Sequence, residues 1–157
     1  LGGLPPEVDL KAEVALGNVV RALSAADGPD GRPLVRAAHD LSNGGLVQSL
    51  VDSALRFGIG GVFDVAGAAR RDCVGDHEML LSESQARAFV AVPEAAVKAV
   101  FAAAEAEGVD AVRIGTTGGD MLAISGVDLL AAEGEGCGWI ASIDELRELS
   151  ETGRTYF

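Results

Sequence analysis

The sequence predicts a single α/β domain, of the α+β kind, in which a mixed sheet carries helices on one face around a split βαβ core. Three observations point there. Short apolar runs suited to strands alternate with longer segments of helical period. Glycine and proline punctuate the junctions between them. The order is strand 34–39, helix, strand 61–65, strand 87–92, helix, strand 110–114, which is the βαββαβ pattern of a split βαβ fold.

Composition sets the limits. A chain of 157 residues can bury a sizeable core without staples. Aromatic residues make up only 4% of it, so that core must be built from Ala, Val, Leu and Ile. The formal charge of −12 disfavours nucleic acid and anionic membrane as partners, and any phosphate must be held by local groups. No basic segment followed by an apolar run opens the chain, and no stretch is long enough to span a bilayer. Cys73 and Cys137 lack the paired spacing of zinc or redox motifs, which suits reduced thiols in the cytoplasm. Leu1 in place of Met, followed by Gly2, Gly3, Pro5 and Pro6, reads as a linker over 1–8 leading into one domain over 9–157, a piece of a longer protein. An apolar patch is then expected where a covering neighbour would sit.

Each element has its own signal. Leu16, Val19, Val20 and Leu23 repeat on one face of a helix from Asp9 to about Ala26, and Asp27-Gly28-Pro29-Asp30-Gly31 ends it. Strand 34–39 leads to a polar glycine turn, Asp40-Leu41-Ser42-Asn43-Gly44-Gly45. The helix that follows has apolar residues on two adjacent sides, Leu46, Leu50, Ala54 and Phe57 beside Val47, Val51 and Leu55, so it should be largely buried against a sheet. Val62 to Val65 reads as a strand, Arg70 to His77 as a loop, and Met79 to Ser82 as a second extended piece before Arg87 to Val92. Pro93 and Glu94 suit a helix start; Val97, Val100, Phe101 and Ala104 follow at helical spacing, with Gly108 as the stop. Asp110–Ile114 and Asp120–Ile124 look like a hairpin joined by the glycine-rich loop 115–119, and Val127 to Ala131 like a further strand. Ser142 and Glu145 form a capping-box pattern for a last helix.

The glycine turn is the leading chemical candidate. Two glycines permit close backbone approach, Ser42 and Asn43 offer hydrogen bonds, and the next helix presents its positive end, an arrangement that suits phosphate. An N-cap with a tight turn explains the same residues. Glu83, Ser84 and Arg87 form a compact polar group, either a turn with a surface ion pair or an anion or ribose contact. His39 and Asp40 are adjacent on a strand and should point to opposite faces, which argues against an acid–base pair. Cys73, Asp76, His77 and Glu78 match no familiar metal spacing, and Gly115–Asp120 lacks the Lys-Ser or Lys-Thr of a P-loop. No residue is assigned a catalytic or metal-ligating role.

Taken together, A-H-D-L-S-N-G-G-L at 38–46, E-M-L-L-S-E-S-Q-A-R at 78–87, R-I-G-T-T-G-G-D at 113–120 and S-I-D-E-L-R-E at 142–148 resemble the C-terminal domain of the phosphoribosylformylglycinamidine synthases. The first motif alone marks the wider superfamily of aminoimidazole ribonucleotide synthetase, selenophosphate synthetase and thiamine-monophosphate kinase. The resemblance implies an ATP-dependent, amidine-forming C–N ligase of purine synthesis, with ATP and Mg2+ in the full enzyme and none held firmly by this domain. It implies as partners N-terminal synthetase-type domains of the same protein, with a glutaminase and small accessory subunits, and an isolated piece that is inactive. Asp40, Ser42, Asn43, Gly44, Gly45, Glu83, Ser84 and Arg87 carry over as one wall of a nucleotide or substrate cleft. Asn43 often reads Asp or Glu in relatives, which argues against a metal or base role there. Another superfamily member, such as a small-molecule kinase, and a non-catalytic structural domain are the alternative readings.

Overall fold

Asp9 opens the first helix by accepting the backbone amides of Lys11 and Ala12, at 2.9 and 3.2 Å, so that two of the orphan donors at its start are satisfied. In this computed structural model residues 8–72, 74–126 and 138–153 are described, and they fall into two compact units, Leu1–Asn43 with Glu83–Ala111 and Gly44–Ser82 with Val112–Phe157. Each is taken by itself.

The first unit holds α1 (Leu10–Ser24), β1 (Ala37–Asp40), β3 (Ala88–Ala91), a 3-10 turn (Glu94–Ala96) and α5 (Val97–Ala106). Helices α1 and α5 pack together, and Val19, Leu23, Leu34 and Ala96 form the buried core with Val92 and Val100 against it. Pro93 precedes the 3-10 turn, and Gly108 at φ 69° closes the α5 end, as the sequence predicts. β1 and β3 pair antiparallel, Ala37 opposite Ala91 and Asp40 opposite Ala88. The strand expected over 34–39 is shifted toward the turn, since the Leu34 amide bonds back to Ala26 at 2.9 Å.

The second unit holds α2 (Gly45–Phe57), β2 (Gly61–Asp64), α3 (Ala66–Asp72), α4 (Asp76–Leu81), β4 (Gly115–Thr117), β5 (Met121–Ser125), β6 (Gly138–Ser142) and α6 (Ile143–Gly153). Its sheet has the order β4-β2-β5-β6, mixed because β2 runs parallel to β5 while the other pairs are antiparallel. The α/β class with a mixed sheet is what the chain has, and its strands are shared between this sheet and the β1–β3 ribbon. Phe63, Leu122, Ile124 and Ala141 are buried on one face. Register sets Thr116, Val62, Ala123 and Ile140 in a row on the other, where Val62 and Ile140 are each 63% exposed.

Four local expectations are corrected. Met79 to Ser82 is not extended and 70–77 is not a loop, because α3 and α4 occupy most of that stretch. The Asp64 carboxylate receives the Ala66 amide, the Glu78 carboxylate receives the Gly75 amide, and the adjacent Met79 and Leu80 are both buried. A short apolar run carries no period that separates a strand from one buried helical turn. The 110–124 region is not a hairpin: β2 lies between β4 and β5, and the strand is Gly115–Thr117 rather than Asp110–Ile114. Gly115 is a packing glycine there, since a Cβ would collide with the Val62 carbonyl. Helix α2 has α4 and α6 as its main neighbours, in place of the sheet expected to cover it. The strand predicted over Val127–Ala131 lies outside the described residues.

Candidate functional site

The two polar motifs of the first unit meet because antiparallel pairing brings them there. The register that sets Asp40 opposite Ala88 continues one step, with the Leu41 amide donating to the Arg87 carbonyl at 3.1 Å. Leu41 is buried and pins the end of the ribbon, while Asp40, Ser42, Asn43, Glu83 and Ser84 are exposed and Arg87 is half-buried. Segments some 40 residues apart in sequence thus leave the same end of one ribbon.

Within this rim the Ser42 hydroxyl donates to the Asp40 carboxylate, which is the main cause of an Asp40 pKa below the ordinary carboxylate value. The backbone amide of Asp40 and, last, the charge of His39 act in the same direction, and desolvation opposes them. His39 stacks on its cross-strand neighbour Phe89, with ring centres 5.9 Å apart and planes at 20°. Its Nδ1 lies 2.6 Å from the Asp40 carbonyl oxygen and 3.4 Å from Asp40 Oδ1. The expectation that these neighbours face apart is therefore corrected: the ring folds over the intervening peptide at the strand end.

Gly44 and Gly45 belong to the second unit, as the start of α2. Gly44 is itself the cap residue, at φ 75° and with no side-chain cap bond of its own, so neither Ser42 nor Asn43 occupies the N-cap position. Gly45 has a packing reason as well. At φ 65° its Cα passes so close to α4 that a Cβ would stand 2.7 Å from the Leu80 carbonyl oxygen and 2.9 Å from the Leu81 Cα. Ser49, buried one turn on, donates to the Gly45 carbonyl at 2.9 Å.

Other candidates carry less chemistry. Glu78 serves as a helix-start acceptor, and Cys73 and Cys137 lie outside the described residues. Among the described residues no group of three or more His, Cys, Asp or Glu side chains could hold a metal ion, and no helix is long and apolar enough to cross a membrane. A groove of about 420 Å³ in the second unit is lined by Val47, Val51, Leu55, Trp139, Leu146 and Leu149, without any of the candidate binding residues Asp40, Ser42 to Gly45, Glu83, Ser84 and Arg87. One polar contact escaped the sequence: Glu13 of α1 accepts the Ala86 amide at 2.8 Å, across 73 residues.

Comparison with known proteins agrees with the motifs. The chain is 43% identical over 126 residues to the phosphoribosylformylglycinamidine synthase subunit PurL of a Nocardioides species, covering 80% of this chain and 15% of that protein. It is 40% identical over 151 residues to the same subunit of Renibacterium salmoninarum, covering 96% of this chain and 18% of that one. The chain thus spans less than a fifth of the curated relatives it matches. In fold it is similar to a solved structure described as T. maritima PurL complexed with ATP, with a TM-score of 0.57 at 16% identity over 72% of this chain and 19% of that one. The family described as "AIR synthase related protein, C-terminal domain" matches residues 1–125, and the chain belongs to that family.

Proposed function

We infer that this chain is a C-terminal α/β domain of a phosphoribosylformylglycinamidine synthase, acting as one wall of a phosphate-bearing cleft. The identity to PurL subunits supports the enzyme, and the ladder bond from Leu41 to Arg87 carries the site, because it sets two donor-rich motifs at one end of a ribbon. In the whole enzyme ATP would activate the amide oxygen of formylglycinamide ribonucleotide, and glutamine-derived ammonia would displace the phosphate to leave the amidine. This chain's part is binding. The Arg87 guanidinium, the Ser84 hydroxyl and the Asn43 amide donate to phosphate oxygens, and the Ser42 hydroxyl joins them by turning its one proton from Asp40 to the phosphate. Asp40, held ionised, aligns the Ser42 hydroxyl, and Glu83 suits a ribose hydroxyl better than an anion. In the second unit, the positive end of α2 at Gly44 and Gly45 is by itself suited to an anion.

We place Mg2+ with the domains that this chain pairs with, N-terminal synthetase-type domains of the same protein. A glutaminase and small accessory subunits complete the proposed cytoplasmic assembly. The 157-residue chain is expected to form no amidine alone. Titration with inorganic phosphate, ATP and formylglycinamide ribonucleotide, followed by amide NMR, tests the reading. Shifts should appear at Ser42 to Gly45 and at Ser84 to Arg87, and a flat response there with all three ligands would refute it for this chain.

A further inference from the structure

Among the described residues Ala86 is the non-glycine residue with positive φ, 55°, and it sits inside the Glu83–Arg87 motif. In the left-handed region the Cβ crowds the following carbonyl, so an alanine stays there only when its surroundings hold it. Two bonds bracket it. The Arg87 carbonyl accepts from Leu41 at 3.1 Å, and the Ala86 amide donates to Glu13 Oε1 at 2.8 Å. In register Ala86 follows the hydrogen-bonded pair Leu41–Arg87 and stands opposite Ser42 at a non-hydrogen-bonded position, so its amide is not a ladder donor; it donates to α1 instead. An amide–carboxylate bond is charge-assisted, and this one is partly buried.

We propose that Glu13 is a positioning residue: it clamps Ala86 in the left-handed conformation and so sets how Ser84 and Arg87 leave the β1–β3 ribbon toward a phosphate-bearing ligand. Glu13 is no anion ligand itself, since a carboxylate repels phosphate; it acts through the backbone of the motif. The ligand rests on the proposed function above, whereas the clamp is a property of the ligand-free chain.

The test compares Glu13→Ala with Asp9→Ala, which removes the cap of the same helix without touching the motif. Amide exchange and inorganic phosphate titration are both followed on the 157-residue chain. Glu13→Ala should speed exchange at Ala86 and Leu41 by about tenfold beyond any global change, and weaken phosphate binding about three- to tenfold. Asp9→Ala should do neither. Adding Ala86→Gly to Glu13→Ala should recover much of the affinity, because glycine adopts this conformation unaided. Unchanged exchange at Ala86 and Leu41 in Glu13→Ala, or the same change in Asp9→Ala, overturns the clamp even where phosphate binds. Selective loss of protection in Glu13→Ala supports the clamp even where phosphate fails to bind, an outcome that removes only the ligand reading.

Discussion

The Leu41 amide donates to the Arg87 carbonyl at 3.1 Å, one step beyond the last registered pair of the β1–β3 ribbon. Leu41 thus joins the glycine-turn motif to the Ser84–Arg87 motif by its backbone and to the interior by its buried side chain. Leu41→Ala should destabilise the chain by about 2–5 kcal/mol, the range for a buried leucine truncated in place. Denaturant unfolding checks this. Leu41→Met, which keeps the volume, should cost less than about 1.5 kcal/mol. Equal losses in the two variants would mean that burial at Leu41 does not hold the ribbon end.

Ser42 makes a pH signature at Asp40. The bond from its hydroxyl is the largest cause of the lowered Asp40 pKa, whose ordinary value is 3.8. A carboxyl whose folded pKa is depressed adds stability above its unfolded pKa, and that contribution is lost as pH falls through the folded one. Ser42→Ala should therefore raise the Asp40 midpoint toward 3.8 in a carbon-detected NMR titration. The stability gap between wild type and variant should be present at neutral pH and shrink in acid. Asp40 is 69% exposed, so solvent screening keeps that gap small, and the midpoint is the stronger readout. An unmoved midpoint would remove Ser42 as its cause.

Gly45 is held by two independent demands, a positive φ and the closeness of α4. Gly45→Ala meets both, a left-handed alanine at about 1–2 kcal/mol and overpacking at about 1–3 kcal/mol. Gly31→Ala, at φ 73° with no atom within 4 Å of the added Cβ, meets only the first. The two melting temperatures should differ accordingly, with Gly45→Ala much the lower. If they match, the approach of α4 at Gly45 relaxes without cost.

What the sequence showed and what it hid follow from the range of each signal. Periodicity and local caps reach only a few residues, and they found α1, α2, α5 and α6 with the Gly108 stop and the Ser142–Glu145 pair, though not the Asp9 cap. Gly115 was misleading because a glycine inside a strand reads as a turn, while its cause, the Val62 carbonyl, is more than 50 residues away. Met79 and Leu80 had no pattern to separate a strand from a short buried helix. The site divides the same way. Both motifs stood out as polar groups between apolar runs, but their meeting depends on strand pairing. The Glu13 contact to Ala86 spans 73 residues and left no local trace, since an alanine says nothing of a positive φ.

The last helix offers a test that joins capping to pH. The Ser142 hydroxyl receives the Glu145 amide at 3.1 Å, while Glu145 Oε2 receives the Ser142 amide at 2.7 Å and its hydroxyl at 2.8 Å. Those two bonds, the backbone one first, hold the Glu145 pKa below its ordinary value of 4.5. Ser142→Ala should lower stability by about 1 kcal/mol through the lost cap. It should also raise the Glu145 pKa only part of the way, because the backbone donor remains. Since the folded pKa is depressed, Glu145 stabilises α6 above its unfolded pKa, and the gain disappears as pH falls through the folded value. Glu145→Gln keeps an acceptor for the amide but carries no charge, so its stability relative to wild type should rise as pH is lowered. A difference between Glu145→Gln and wild type that stays constant across that window would show that the carboxylate's charge contributes nothing to the cap.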